Sequence, residues 1–124
     1  MEKDPNYKYF FFDGATVSLA DYLDIRPENR ERLTRLIQSD RIQIGPWYGM
    51  PDEFLVNGES LVRNLVRGHR DCRAFGVEAT KAGYICDIFG HNSQMPQILQ
   101  GFDIDNATCF RGMPSDSPAE LIWE

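Results

Sequence analysis

The side chains best suited to chemistry lie in residues 83–96, where an apolar run ends at a carboxylate. Residues 82–86 are typical of a buried strand, and Asp87 follows directly, with Phe89 and His91 shortly after it. In parallel α/β folds the ligand crevice lies beyond the carboxyl ends of the strands, so an acid at such an end is a candidate functional residue. A capping role for Asp87 in the turn or helix that follows is an equally good interpretation of the residues alone.

Similar side chains follow the other predicted strands: Asp13 follows the first, Trp47 with Asp52 and Glu53 the second, and Arg111 the fourth. Parallel strands would bring these residues to one rim, where carboxylates and aromatic rings could bind a sugar or another polar metabolite. An arginine beside an aspartate favours the ionised carboxylate, the form that attacks an acetal carbon in covalent catalysis. The residues therefore indicate a polar pocket with a candidate nucleophile.

Several of these residues also have a structural interpretation. Trp47 could belong to the core or to the wall of a pocket. Asp52 and Glu53 could bind substrate or the loop backbone, and the sequence does not separate these roles. His91 could be a loop imidazole hydrogen-bonded to the backbone or a metal ligand, and the family resemblance given below favours the first. His69, on the edge of a predicted helix, is expected to be structural.

Four short apolar runs predict the strands that carry these residues. The first is continuously apolar, as in a strand buried on both faces, and its last residues, Asp13 and Gly14, indicate a sharp turn. The strands are predicted over residues 9–12, 42–47, 82–87 and 107–110.

Helical patterns separate the predicted strands. Ser18 is predicted to cap a short helix, and a second helix is predicted from Pro27 to about Asp40. Asn57 is predicted to cap a longer helix with an apolar stripe, which Gly76 stops, and Ser93 to cap the last one. The stripe consists of Leu61, Val62, Leu65, Val66, Cys72 and Phe75.

Strand and helix alternate four times, which predicts an α/β fold with parallel strands and right-handed crossovers. An open doubly wound sheet and an arc of a larger barrel both satisfy this order.

Composition excludes some classes of partner. The net charge of −6 and the pI near 4.9 argue against a nucleic-acid partner, which needs a basic face. The longest apolar run, residues 9–12, is far shorter than the roughly 20 residues of a membrane-spanning helix, and the amino terminus has no signal-peptide pattern. The three cysteines lack paired spacing, so we expect free thiols in a reducing compartment, the cytoplasm.

Long motifs in this chain resemble the bacterial branch of the glycoside hydrolase family 38 α-mannosidases. The resemblance extends from about Tyr9 onward. The matching motifs are GPWY at residues 45–48, PDEFLV at 51–56, GESL at 58–61, DIFGHNSQMP at 87–96 and FRG at 110–112.

The resemblance implies a retaining, zinc-dependent α-mannosidase with a seven-stranded β/α-barrel catalytic domain. This chain would supply about strands 2 to 5, a partial parallel β/α barrel, with residues 1–124 all belonging to the N-terminal catalytic domain. Asp87 resembles the nucleophile, which also ligates zinc, and Arg111 resembles the arginine that positions and ionises it. Phe89 resembles the aromatic wall of the sugar subsite. Trp47 and Asp52 are predicted as further substrate contacts from their place after the second strand.

The chain also departs from the family pattern. The family's His-x-Asp zinc pair, its other zinc-binding histidine and its general acid have no match here, and Cys86 stands where many relatives carry proline. We therefore expect the segment alone to be inactive and the intact enzyme to act on mannosides, with a homo-oligomer left open as its assembly. The alternatives are a non-catalytic remnant or interaction module of the same fold, or another metal-dependent hydrolase on a related barrel.

Overall fold

Four short strands are separated by helices in the computed structural model, which describes residues 2–123. The elements are β1 (Phe10–Phe11), α1 (Val17–Ile25), a 3-10 turn (Pro27–Asn29), α2 (Arg30–Gln38), β2 (Ile42–Gln43), α3 (Gly58–Ala74), β3 (Gly83–Ile85), α4 (Met95–Gln100) and β4 (Ala107–Cys109). The predicted alternation is confirmed as far as β4. The four predicted helices are present as α1, α2, α3 and α4.

The strands form two parallel pairs. In one pair Phe10 of β1 lies opposite Ile42 of β2, and in the other Ile85 of β3 lies opposite Cys109 of β4. The pairs are connected by a side chain, since the indole Nε1 of Trp47 donates a hydrogen bond to the Tyr84 carbonyl oxygen at 2.8 Å. The parallel direction confirms the prediction and gives a mixed α/β fold, while closure into a barrel stays a prediction.

The expectation that the first strand is buried on both faces is wrong for this structure. Tyr9 is 67% exposed and Phe10 is 40% exposed. Among the described residues, β1 pairs only with β2, and the Phe10 ring contacts Tyr7, which is itself exposed. A continuously apolar strand with one uncovered face exposes its aromatic rings.

The core consists of two hydrophobic clusters, and α3 contributes to both. Cys72 of α3 packs in the cluster with Leu19 and Ile44, while Leu65 of α3 packs in the cluster with Trp47. The helix lies close to the loop after β2, since a Cβ atom on Gly68 would stand 2.1 Å from the Pro46 carbonyl oxygen. A side chain at this position would force the helix and the loop apart.

Two predicted features of α3 are confirmed and one is wrong. The Asn57 side chain accepts a hydrogen bond from the Ser60 amide at 2.8 Å, and Gly76 follows the helix with a φ of 79°. Val62 and Val66, which were predicted in the buried stripe, are exposed. They lie one position beyond the Leu61 and Leu65 face, which points them toward solvent in the described part of the chain.

Two predicted caps are wrong. Helix α1 begins after Thr16, whose hydroxyl donates to Asp71 at 2.9 Å instead of capping the helix, so Ser18 lies inside the first turn. Helix α4 begins after Gln94, and the Asn92 side chain accepts the Gln94 amide at 3.0 Å. In each case a residue just before the predicted cap makes the hydrogen bond instead: Thr16 bonds the distant Asp71, and Asn92 bonds the nearby Gln94 amide.

The three cysteines are free, as predicted. Cys72 is buried, and burial raises the pKa of its thiol to about 12. Cys86 and Cys109 are partly buried. Among the helices of residues 2–123, none has both the length and the apolar character needed to cross a membrane.

His69 is a buried histidine of α3 that confirms the structural interpretation. Its ring packs against Phe102 at 5.2 Å between centroids, and its Nε2 has no hydrogen-bond partner among the described residues. Burial is the largest cause that lowers the pKa of His69, and the charges of Lys81 and Arg73 act in the same direction.

We therefore expect acid to destabilise the fold through His69. The unfolded chain binds a proton near pH 6.5, whereas the folded chain binds it only at lower pH, so stability is lost as the pH falls below about 6.5, by at most about 1.4 kcal/mol per pH unit. Urea unfolding followed by tryptophan fluorescence between pH 7.5 and 5.5 measures this slope. His69→Leu should flatten it, and an equal slope in both proteins would contradict the assignment.

Candidate functional site

Asp87 and Arg111 lie side by side because of the register of β3 and β4. Ile85 is paired with Cys109, and Asp87 and Arg111 each come two residues after these partners. The Arg111 amide also donates to the Cys86 carbonyl oxygen at 2.8 Å, which continues the pairing past the strands. As a result, the guanidinium Nε of Arg111 bonds the carboxylate Oδ1 of Asp87.

Phe89 completes an exposed group with these two residues. The guanidinium carbon of Arg111 lies 5.3 Å from the centre of the Phe89 ring, within cation–π distance. The Asp87 side chain is 73% exposed, and Phe89 is also largely exposed. The structure thus brings together three of the predicted site residues, with the carboxylate and the aromatic face open to solvent.

Trp47 lies in the core, so the structure does not support its predicted place in the wall of a pocket. Its exposure is 0%, and its indole N–H is bonded to the Tyr84 carbonyl oxygen. Trp47 packs in the cluster that contains Leu61, Leu65 and Ile85. The core interpretation is the one that the packing favours.

Asp52 lies in a separate part of the loop after β2. It borders an open depression of about 370 Å³, whose lining includes Leu55, Val56 and Asn64 but none of Asp87, Phe89 or Arg111. The described residues therefore do not bring Asp52 together with the exposed group, and its proposed substrate contact remains a prediction.

Glu53, next to Asp52, has a different environment. Its side chain is fully buried, and its Oε2 accepts hydrogen bonds from the amide of Asn92, at 2.7 Å, and from the side-chain nitrogen of Asn92. Its Oε1 lies 3.3 Å from Nδ1 of His91. Of the two interpretations left open, the structure supports binding to the loop backbone.

His91 is a loop imidazole bonded to the backbone, as predicted. Its Nε2 lies 2.9 Å from the Arg111 carbonyl oxygen. Asn92, the partner of Glu53 in this loop, is not predicted as a site residue, because it does not directly follow a strand. The only signal was the polar Asn92 directly after His91, which is typical of a side chain that bonds a turn backbone.

Tyr84 of β3 is a second residue that the sequence did not single out. Its side chain packs over Gly14, where a Cβ would stand 2.9 Å from the Tyr84 ring. Asp13 and Gly14 have positive φ angles of 48° and 66°, which confirms the predicted turn. A hydrogen bond to Asp13, with a contribution from burial, raises the pKa of Tyr84. The contact between Tyr84 and Asp13 is a second polar link between the β1–β2 pair and the β3–β4 pair.

Metal ligands are too few here to form a complete centre. Among residues 2–123, no group of three or more His, Cys, Asp or Glu side chains is placed to hold a metal ion. An exposed aspartate is a ligand type that zinc accepts, but a catalytic zinc usually takes three protein ligands. Asp87 could therefore supply one ligand, and the described residues do not make a zinc site by themselves.

Chemically, the exposed group suits attack on a sugar. The arginine fixes the orientation of the carboxylate, and the aromatic face offers a surface for the C–H side of a sugar ring. A carboxylate of this kind can act as a nucleophile or an electrostatic stabiliser at an anomeric carbon.

Comparison with known proteins gives matches along nearly the whole chain. The profile described as "Glycosyl hydrolases family 38 N-terminal domain" matches residues 1–121. A protein named "Putative mannosylglycerate hydrolase" from Halalkalibacterium halodurans is 41% identical over 98% of this chain, and "Alpha-mannosidase 2x" of Mus musculus is 31% identical over 81% of it. The crystal structure of an alpha-mannosidase from Enterococcus faecalis V583 superposes on 87% of the chain with a TM-score of 0.83 and 38% identity.

The chain spans only a small part of each of these proteins. It covers 15% of the Halalkalibacterium halodurans protein, 9% of the mouse protein and 12% of the Enterococcus faecalis chain.

Gly112→Ala should disturb the exposed group through the loop after β4. Gly112 has a φ of 85°, and a Cβ on it would stand 2.6 Å from the Gly90 amide nitrogen. We expect a loss of about 1 to 3 kcal/mol in the free energy of unfolding, measured by urea denaturation. Gly58→Ala is the matched control, because a Cβ there meets no atom within 4 Å. Equal stability of the two variants would contradict this packing.

Proposed function

We propose that this chain, which belongs to glycosyl hydrolase family 38, carries the nucleophile segment of an α-mannosidase that hydrolyses terminal α-mannosides with retention of configuration. The observation that carries the proposal is the exposed Asp87 carboxylate, bonded to Arg111 beside the Phe89 ring. The names of the similar proteins point to the same sugar class.

In the proposed reaction, Asp87 acts as the nucleophile. A carboxylate oxygen of Asp87 attacks the anomeric carbon, the glycosidic bond breaks, and the leaving oxygen takes a proton from an acid outside this chain. The glycosyl ester formed on Asp87 is then cleaved by water, whose proton returns to the same group. Two displacements at one carbon give retention, for which the two carboxyl groups must stand about 5 to 5.5 Å apart.

Arg111 and Phe89 prepare this step. The guanidinium bonds one oxygen of Asp87, which leaves the other oxygen for attack. The Phe89 ring, exposed next to the guanidinium, would line the subsite of the attacked sugar. Both contacts come from residues that directly follow β3 and β4.

We propose zinc as the cofactor of the intact enzyme, with Asp87 as the ligand from this chain and the other ligands outside it. When bound, zinc would supply a Lewis acid for the sugar hydroxyls. We further propose a cytoplasmic enzyme, in agreement with the three free thiols.

Asp87→Asn should abolish turnover of an aryl α-mannoside by the full-length polypeptide that contains this chain. The amide keeps the shape of the carboxylate but is a poor nucleophile, so we expect kcat to fall by about a thousandfold or more. Asp116→Asn, in an exposed loop, is the control. A mechanism-based fluoro-sugar should label Asp87 in the native enzyme. A label on another residue would refute the assignment, and unchanged kcat in Asp87→Asn would favour the non-catalytic alternative.

Metal removal should have a comparable effect on the same polypeptide. Dialysis against a chelator is expected to remove most of the activity, and added zinc should restore it. Because Asp87 would be one ligand of few, Asp87→Asn should also lower the zinc content measured by mass spectrometry. Full activity in a metal-free preparation would contradict the zinc proposal and leave the nucleophile assignment standing.

A further inference from the structure

We propose that Glu53 and His91 form a buried brace that positions Arg111, and through Arg111 the carboxylate of Asp87. Its consequence for catalysis rests on the function proposed above, whereas its effect on the loops does not. The brace connects the loop after β2, which holds Glu53, to the loops after β3 and β4, which hold His91 and Arg111.

The first half of the brace is the Glu53 carboxylate. Its side chain has no exposed surface, and Oε2 accepts both the amide and the side-chain nitrogen of Asn92. A buried carboxylate is costly unless its oxygens are bonded, and here the bonds fix the backbone directly after His91. The buried Glu53 carboxylate thus fixes the conformation of the loop after β3 at Asn92.

The second half is the His91 ring, whose side chain is 6% exposed. The Arg111 carbonyl oxygen, 2.9 Å from Nε2, can only accept a hydrogen bond, so Nε2 must carry a proton. Nδ1 faces Oε1 of Glu53 at 3.3 Å, so the second ring nitrogen also has a polar partner. The Trp123 ring packs edge-on against the His91 ring, at 5.9 Å between centroids. These contacts, with one partner on each ring nitrogen, hold the imidazole in one orientation.

Both polar groups of the Arg111 backbone are held as a result. The amide donates to the Cys86 carbonyl oxygen at 2.8 Å, and the carbonyl accepts from His91. Cys86 directly precedes Asp87, so the backbone of the arginine is tied to residues on either side of the acid that its guanidinium bonds.

This support is needed because the ion pair lies at the surface. The side chains of Arg111 and Asp87 are 49% and 73% exposed, and exposed ion pairs contribute little to holding two side chains in one geometry. Orientation must then come from the backbone, and small displacements of a nucleophile reduce the rate strongly.

The experiment compares two variants of Glu53 in the full-length polypeptide that contains this chain. Gln can accept both Asn92 donors with its oxygen and donate to Nδ1 with its nitrogen, so Glu53→Gln should keep kcat within about threefold of the native value. Glu53→Ala should lower kcat by about 10- to 100-fold with little change in KM. Glu59→Ala removes an exposed acid of α3 and serves as the matched control.

Hydrogen exchange provides a measurement that does not depend on activity. Peptides covering residues 86–92 and 109–112 should exchange faster in Glu53→Ala, at an unchanged rate in Glu53→Gln, and without a rise elsewhere in the chain. His91→Phe fills the same space without the hydrogen bonds and should give the same local increase, so it replaces Glu53→Ala if that variant does not fold.

The two proposals fail in different ways. Exchange unchanged in both Glu53→Ala and His91→Phe would overturn the brace, and so would a Glu53→Gln variant as defective as Glu53→Ala. Native protein that hydrolyses no α-mannoside would overturn the proposed function, while the exchange rates would still support or overturn the brace.

Discussion

The parallel pairing of β3 with β4 is the constraint on which the rest of the candidate site depends. Each strand contributes only three residues, but their register places Asp87 opposite Arg111 two positions later. The hydrogen bond from the Arg111 amide to the Cys86 carbonyl oxygen extends this register into the loops. A shift of one residue in the pairing would turn these side chains to opposite faces of the sheet and separate the acid from the arginine.

Helix α3 provides the scaffold for this arrangement. It packs in both hydrophobic clusters, and its contact at Gly68 presses the backbone of Trp47 into the core. The buried indole then bonds the Tyr84 carbonyl oxygen on β3. A close helix–loop contact thus connects the first strand pair to the strand that ends at Asp87, through a tryptophan that never reaches solvent.

Buried polar groups have two different roles in this chain. Glu53 and His91 are paired with donors and acceptors on neighbouring loops, which converts the cost of burial into a defined loop geometry. His69 has an unpaired ring nitrogen in the described part of the chain and packs mainly as an apolar ring. The unpaired ring is expected to make stability depend on pH, whereas the paired groups shape the candidate site.

The sequence by itself determined the order of strands and helices, the parallel direction of the strands and the place of Asp87, Phe89 and Arg111. These features follow from local patterns: apolar runs, their spacing along the chain, and polar residues directly after them. The Asn57 cap and the Gly76 stop were equally predictable, because their hydrogen bond and backbone angle involve only nearby residues.

Only the tertiary structure decided what depends on contacts between distant residues. Trp47 is buried in a cluster with Leu61 and Leu65 of α3, and the Thr16 hydroxyl donates to Asp71, 55 residues away, while α1 begins without a side-chain cap. The role of Glu53 likewise depends on Asn92, 39 residues later in the chain. An aromatic or acidic residue has the same type and spacing whether its partner is solvent or another loop, so the fold alone assigns its environment.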